Sequence, residues 1–232
     1  NVPIVNEEKM VTEKDILRVQ NSVVNDILPN MELVSVTPID FTIYENGSEI
    51  ETLKDPKNKI CDRLGIRAMM VCVPKTSVVS FAKVVEKSGV EVVDLVLSPI
   101  ADFEEVKTEE LESGMTAIIN IGKTITTVSM FNKGIITNTS VLKIGSKIID
   151  DDISYIYYTT KKAARKAKEN FGIAHPRYAN KNETYEVRDV NGKLVRINQY
   201  ELSKVINKRL VEILNVAKNE LKVLTNKQIR YI

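Results

Sequence analysis

A chain of 232 residues with 43% hydrophobic, 28% charged and 6% aromatic side chains has the composition of a folded globular protein of one or two domains. The 33 Lys and Arg against 31 Asp and Glu give a formal net charge of +2, too even a balance for a protein whose main affinity comes from neutralising phosphates, so nucleic acid is not expected as a partner. The longest apolar stretches, such as Thr116–Ile121 and Val92–Leu97, fall short of the roughly 20 residues of a membrane-crossing helix, and two cysteines with one histidine are too few for a zinc site of the usual composition or a disulfide framework.

In chain order, the opening Val-Pro-Ile after Asn1 lacks an initiator Met, a basic segment and an apolar signal core, which reads as a piece of a longer protein. Thr12 with Asp15 three residues on resembles a capping box, and Ile16, Val19, Val23, Ile27 and Leu28 predict an amphipathic helix ending at Pro29. Leu33, Val34, Val36, Ile39, Phe41 and Ile43 predict extended chain broken near Pro38 and punctuated by Asn46-Gly47. Cys61 and Cys72 sit among apolar or small neighbours and read as reduced core thiols of a reducing cytosol. A strand over 67–73 follows, then Pro74 opening a helix through Val78, Val79, Phe81, Ala82, Val84 and Val85, a Ser88-Gly89 stop, and a strand over Val90–Leu97.

Pro99–Leu111 is acidic and helix-prone, closed by Ser113-Gly114. Strands are predicted over 115–121, 126–131 and 135–142, the last two a hairpin about Asn132-Lys133-Gly134. Helices follow through Ile148, Ile149, Ile153 and Ile156 and over the cationic Lys161–Phe171; His175, in a Gly-Ile-Ala-His-Pro loop with no acid or nucleophile at readable spacing, reads as structural. A second hairpin turns at Asn191-Gly192, and the final helix from Gln199 to about Leu224 places Leu202, Ile206, Leu210, Ile213, Ala217, Leu221 and Leu224 at spacings of three and four, so one face is buried. Gln-Ile-Arg-Tyr-Ile at the end reads as a strand.

The segment Met115–Phe131 carries the most chemistry. A buried strand that ends in Asn120, turns at Gly122-Lys123-Thr124 and re-emerges as a second strand is either a hairpin with a Thr-rich turn or a loop aiming amides and hydroxyls at a phosphate. The basic positions Lys161, Lys162, Arg165, Lys166 and Lys168, and the shoulder of Tyr200, Lys204, Asn207, Lys208 and Arg209, read as solvated helix faces unless a ligand is supplied.

Four stretches resemble the FtsA family of bacterial cell-division proteins, which belongs with actin, Hsp70 and the sugar kinases. Val2-Pro3-Ile4 followed by Val11–Ile16 is similar to its Val-Pro-Ile entry into a Val-Thr-x-x-Asp-Val helix; Val36–Ile43, Lys54-Asp55-Pro56 and Arg63-Leu64 resemble its Ile-Pro-x-x-Phe, Asp-Pro and Arg-Leu landmarks. Val84–Val92 resembles its Val-Glu-x-x-Gly-Leu-x-Val crossover, Ile144-Gly145-Ser146 with Asp151-Asp152-Ile153 resembles its Gly-x-x-x-x-x-Asp-Ile-Ala helix entrance, and Lys168–Gly172 resembles the Lys-x-x-x-Gly that follows. The resemblance covers the chain in order and implies an α/β, actin-like (ribonuclease H-like) fold fragment with a small inserted α/β subdomain: residues 1–97 as subdomain 1C (SHS2-like), 98–114 as a connecting helix and 115–232 as incomplete 2A and 2B subdomains.

For chemistry, the resemblance implies an ATP site with Mg²⁺ at Asn120, Gly122, Lys123, Thr124, Thr126, Gly145 and Lys168. Two departures weaken it. The family's second phosphate loop reads Asp-x-Gly-x-x-Thr, and here Asn120 replaces the metal-orienting acid and Ile125 the hydroxyl; Arg165 replaces the acid that would hold ribose hydroxyls. Weak nucleotide binding and slow or absent turnover are therefore expected, and no catalytic or metal-ligating residue is assigned. Further implied are binding of the FtsZ C-terminal tail by Lys204, Asn207, Lys208 and Arg209, actin-like self-association, docking of later division proteins on the 1C-like part, and a cytoplasmic place on the inner membrane face at the septum through a C-terminal helix that this chain does not contain. The alternatives are an actin-fold ATPase or phosphotransferase, which Asn120 disfavours, and a pilus-assembly adaptor of related fold.

Overall fold

The computed structural model describes residues 1–23 and 29–232. The chain folds as two units, Asn1–Val106 with Ile135–Thr137, and Lys107–Gly134 with Asn138–Ile232.

In the first unit, β1 (Val2–Pro3), β2 (Met31–Glu45), β3 (Ser48–Leu53) and β4 (Arg63–Pro74) form an antiparallel sheet in the order β1-β4-β2-β3. Against it stands α1 (Glu13–Ser22), and Ile4, Val11, Val19, Phe41, Ile43, Cys61 and Leu64 form the core between them. Ile27 and Leu28, expected to extend that helix, lie outside the described residues. The Asp15 carboxylate accepts from the amide and the hydroxyl of Thr12 at 3.0 and 2.6 Å and from Arg18 at 3.1 Å, which closes the helix start as the Thr-x-x-Asp spacing predicts.

Burial pushes the Asp15 carboxyl up, but the Thr12 hydrogen bonds and the Arg18 charge outweigh it and hold the group below its ordinary range. A carboxyl lowered in the folded state contributes stability above its unfolded value of about 3.9 that is lost as pH falls through the folded value. Asp15→Asn is therefore expected to be about 1 kcal/mol less stable than wild type at pH 6, with the gap narrowing below about pH 4. Urea midpoints for both proteins at pH 6 and pH 3 check this, and a gap of constant size would remove the charge from the account.

Three sequence expectations in this unit are corrected. Pro38 does not break the strand: β2 runs through it, and the irregularity is taken up by register shifts at Leu33/Ser35 and Pro38/Asp40, as bulges accommodate a residue that cannot donate. Asn46 and Gly47, at φ +48° and +80°, are a hairpin turn into a strand that the polar run Ser48–Leu53 did not announce. Val90–Leu97 pairs with no described strand and leaves Val93 89% exposed, because alternation makes a strand only where a sheet edge receives it. Before it, α2 (Lys75–Glu86) buries none of its residues.

The acidic stretch expected as one helix is two, α3 (Ser98–Val106) and α4 (Glu109–Glu112), the second capped by Thr108, whose hydroxyl accepts from the Leu111 amide. β5 (Met115–Ile121), β6 (Thr126–Asn132) and β7 (Ile135–Leu142), all in the second unit except Ile135–Thr137, form a three-stranded sheet. The expected last strand contributes a parallel bridge, Tyr231 to Thr116, with Ala117 donating to Tyr231 O at 2.9 Å. After α5 (Lys147–Ile156) and α6 (Lys161–Phe171), a ribbon of β8 (Thr184–Arg188) and β9 (Leu194–Asn198) leads into α7 (Gln199–Leu224). Asn198 caps α7 by accepting from the Tyr200 and Glu201 amides.

At ~1.5 Å per residue α7 is about 39 Å long and serves two cores. Its Leu202 and Ile206 pack with Ile149, Ile153, Ala164, Ala167, Val187 and Ile197; its Ala217 and Leu221 pack with Ala117, Val128 and Met130 of the sheet. His175 accepts from the Arg177 amide at 3.1 Å and starts the short 3-10 turn Pro176–Tyr178.

Candidate functional site

The register Asn120 to Thr127 and Ile121 to Thr126 leaves residues 122–125 as the turn of the β5–β6 hairpin, closed by Gly122 N–H donating to Ile125 O at 2.9 Å. The entrance of α5 clamps this turn: Ser146 N–H donates to Gly122 O and Lys147 N–H to Lys123 O, both at 2.8 Å. Gly145 makes the approach possible, since a Cβ there would stand 2.6 Å from Lys123 O. Thr126 is buried and its hydroxyl donates to Ile144 O at 2.8 Å, so it braces the clamp and is not turned to a ligand.

Two cavities open beside the turn. One of about 300 Å³ is lined by Lys123, Thr124, Lys143, Gly145, Lys147 and Asp151 among others, and one of about 280 Å³ by Lys123, Lys147, Asp150, Asp151, Lys161, Lys162 and Arg165. Asn120, exposed at the end of β5, lines neither. Lys168 also departs from expectation: its side chain is 17% exposed and its ammonium lies 2.7 Å from Asp150 Oδ1 and 3.4 Å from Ser146 O, a tie between α6 and the start of α5. Arg165 is bound to Glu169 at 2.7 Å, one turn along the same helix.

Magnesium does not suit this donor set. It needs hard anionic oxygens with room for an octahedral shell, whereas position 120 carries an amide and the two nearby carboxylates are already held by lysines, Asp150 by Lys168 and Asp151 by Lys161 at 2.6 Å. Among the described residues no group of three or more His, Cys, Asp or Glu is placed to hold a metal ion.

A larger cavity, about 480 Å³, lies between α5 and α7, lined by Asp152, Tyr155, Ile156, Lys204, Val205, Lys208, Arg209 and Glu212. Lys204 and Lys208, four apart, share one face of α7, and Arg209, about 100° round the helix from Lys208, reaches the same cavity on the side of Val205, four residues before it. Asn207 does not: its side chain donates to Ala174 O at 3.0 Å, away from the cavity. Arg209, 25% exposed, is fully engaged, with Nε and Nη2 on the two oxygens of Asp152 at 2.7 and 2.9 Å and Nη1 on Glu212 at 2.6 Å. Lys204 bonds Glu201 at 2.9 Å and sits over the Tyr200 ring. Among the described residues Lys208 has neither a carboxylate nor a hydrogen-bond partner, which makes it the cation open to a ligand. The apolar wall of Ile156, Val205 and Tyr155, a residue 86% exposed, was not anticipated; the signal available was an aromatic residue at a position off the buried Ile149-Ile153 stripe of α5.

The family model described as cell division protein FtsA matches residues 117–226. The cell division protein FtsA of Enterococcus hirae is 32% identical over 218 residues, 93% of this chain and 48% of that protein. The chain spans about half the length of the curated relatives it matches. Among solved structures, MreB 5 of Spiroplasma citri bound to AMPPNP has a TM-score of 0.53 at 23% identity over 67% of this chain and 49% of its own. The PilM-PilN type IV pilus biogenesis complex has a TM-score of 0.51 at 14% identity, over 92% of this chain and 52% of the matched one. At these identities the likeness establishes the fold alone, an α/β fold of the actin-like class.

Proposed function

We propose, from the premise that this chain belongs to the FtsA family, that it is part of a cell-division scaffold whose α5–α7 cavity receives the acidic and apolar C-terminal tail of FtsZ. The observation that carries this reading is the pairing, in one cavity, of an apolar wall with the unpartnered ammonium of Lys208. An extended peptide with alternating carboxylates and apolar side chains needs both features, a groove for its side chains and a cation at the edge. The same proposal includes self-association into actin-like filaments, recruitment of later division proteins by the first unit, and a place on the inner membrane face at the septum. Among the described residues no helix is long and apolar enough to cross a membrane. Nucleotide is bound weakly and hardly turned over, in keeping with Asn120 and the engaged Arg165.

Lys208→Glu should weaken binding of a labelled FtsZ tail peptide by about fivefold or more at low salt, with the loss shrinking as ionic strength rises. Unfolding free energy should change by no more than about 0.5 kcal/mol, because no intramolecular partner of Lys208 is lost and the new like-charge pair with Glu212, four residues on, is exposed. Equal affinities for wild type and variant would move the partner site off this cavity.

A further inference from the structure

We infer that the two cavities beside the Gly122 turn take a phosphate chain directly on lysine ammonium groups, without a divalent cation. The inference rests on the reading of this face as the nucleotide side of the fold and is independent of the division role.

The lining residues hold six basic side chains, Lys123, Lys143, Lys147, Lys161, Lys162 and Arg165, against two carboxylates, Asp150 and Asp151. Those carboxylates and the charges of Lys161 and Arg165 are compensated within the protein, by Lys168, Lys161, Asp151 and Glu169 in the pairs already described. Lys123, Lys143, Lys147 and Lys162 remain, and among the described residues none of the four ammonium groups has a carboxylate or hydrogen-bond partner. They come from the β5–β6 turn, the loop after β7, α5 and α6, so four separate segments bring uncompensated positive charge to two neighbouring cavities that share Lys123, Lys147 and Asp151 in their walls.

Such an arrangement concentrates a positive field where like charges repel, a cost that an anion of several charges relieves. Lysine binds phosphate oxygens as a point charge and needs no fixed fork geometry. The amides of Gly122, Ser146 and Lys147 and the hydroxyl of Thr126 each bond within the clamp and are not free to donate to an anion. With no free carboxylate to orient a hydrated metal, the lysines supply the charge that a cation would otherwise bring. Magnesium then competes, because it sequesters the phosphate chain and lowers its charge.

The test is calorimetric titration of the protein with inorganic tripolyphosphate and with ATP, each in EDTA and in excess Mg²⁺. Tripolyphosphate is expected to bind in EDTA, with affinity falling by roughly fivefold or more when Mg²⁺ is saturating and falling again with added salt. Lys123→Gln/Lys147→Gln should lower that affinity by about tenfold, whereas Lys218→Gln, an exposed lysine remote in sequence on α7, should leave it unchanged. All the substituted side chains are exposed, and unchanged thermal unfolding verifies the fold. Binding that requires Mg²⁺ overturns the inference and leaves the nucleotide reading standing. ATP binding without tripolyphosphate binding does the same, by placing the contacts on the nucleoside. Absence of binding by either ligand overturns both.

Discussion

Arg209→Glu is expected to lower the unfolding free energy by about 2–4 kcal/mol, a larger effect than its neighbour Lys208→Glu can have, because Arg209 is a strut before it is a ligand contact. Its guanidinium forks onto Asp152 of α5 and also holds Glu212 one turn along α7. Reversal removes three charge-assisted hydrogen bonds and places a third carboxylate beside two that are partly withdrawn from water. The hydrogen bonds it donates to Asp152 are the leading reason that the guanidinium is held above its ordinary range, in accord with a tight pair. Arg209→Lys should recover part of the loss, since an ammonium retains the charge without the bidentate geometry. Urea unfolding of wild type and both variants, followed by peptide titration under conditions where each is folded, separates the roles. A fully stable Arg209→Glu protein that fails to bind the peptide would make Arg209 the contact and not the strut.

The contrast between Lys208 and Arg209 shows where sequence patterns reach and where they stop. Helical spacing places Lys204 and Lys208 together on one face of α7 and Arg209 in line with Val205, because these relations are local and set by 3.6 residues per turn. The neutralisation of Arg209 depends on Asp152, 57 residues away, and on how α5 packs against α7, which no periodicity encodes. The same division runs through the fold. The ends of α6 and α7 are legible because Thr160 and Asn198 are capping residues and the apolar stripe has a helix period. The strand reading of Val90–Leu97 fails because pairing is a tertiary event, and β3 is missed because a polar edge strand carries no stripe. At the β5–β6 turn, Gly122, Lys123 and Thr124 lie in the hairpin loop that the Gly-rich spacing predicts. Thr126 and Lys168 are drawn into contacts with Ile144 and Asp150, since a hydroxyl or an ammonium takes whichever acceptor the fold brings nearest.

Gly145→Ala is expected to cost about 2–4 kcal/mol and to abolish phosphate-chain binding although it removes no charge. Its Cβ would lie 2.6 Å from Lys123 O and 2.7 Å from Gly122 O, and both atoms are backbone, so no side-chain rotation relieves the clash. The turn must move away from the start of α5, and the hydrogen bonds from Ser146 N–H to Gly122 O and from Lys147 N–H to Lys123 O stretch or break. Since Lys123 and Lys147 ride on the two backbones thus parted, their ammonium groups separate as well. Gly47→Ala provides the comparison: at φ +80° with nothing within 4 Å of the added Cβ, it pays only for left-handed backbone, about 1 kcal/mol. Urea unfolding of the two variants side by side tests the order, and tripolyphosphate titration in EDTA tests the coupling. An alanine tolerated at 145 as well as at 47, with phosphate binding intact, would mean that the turn and the helix entrance are not held at the distance on which both the clamp and the cavity depend.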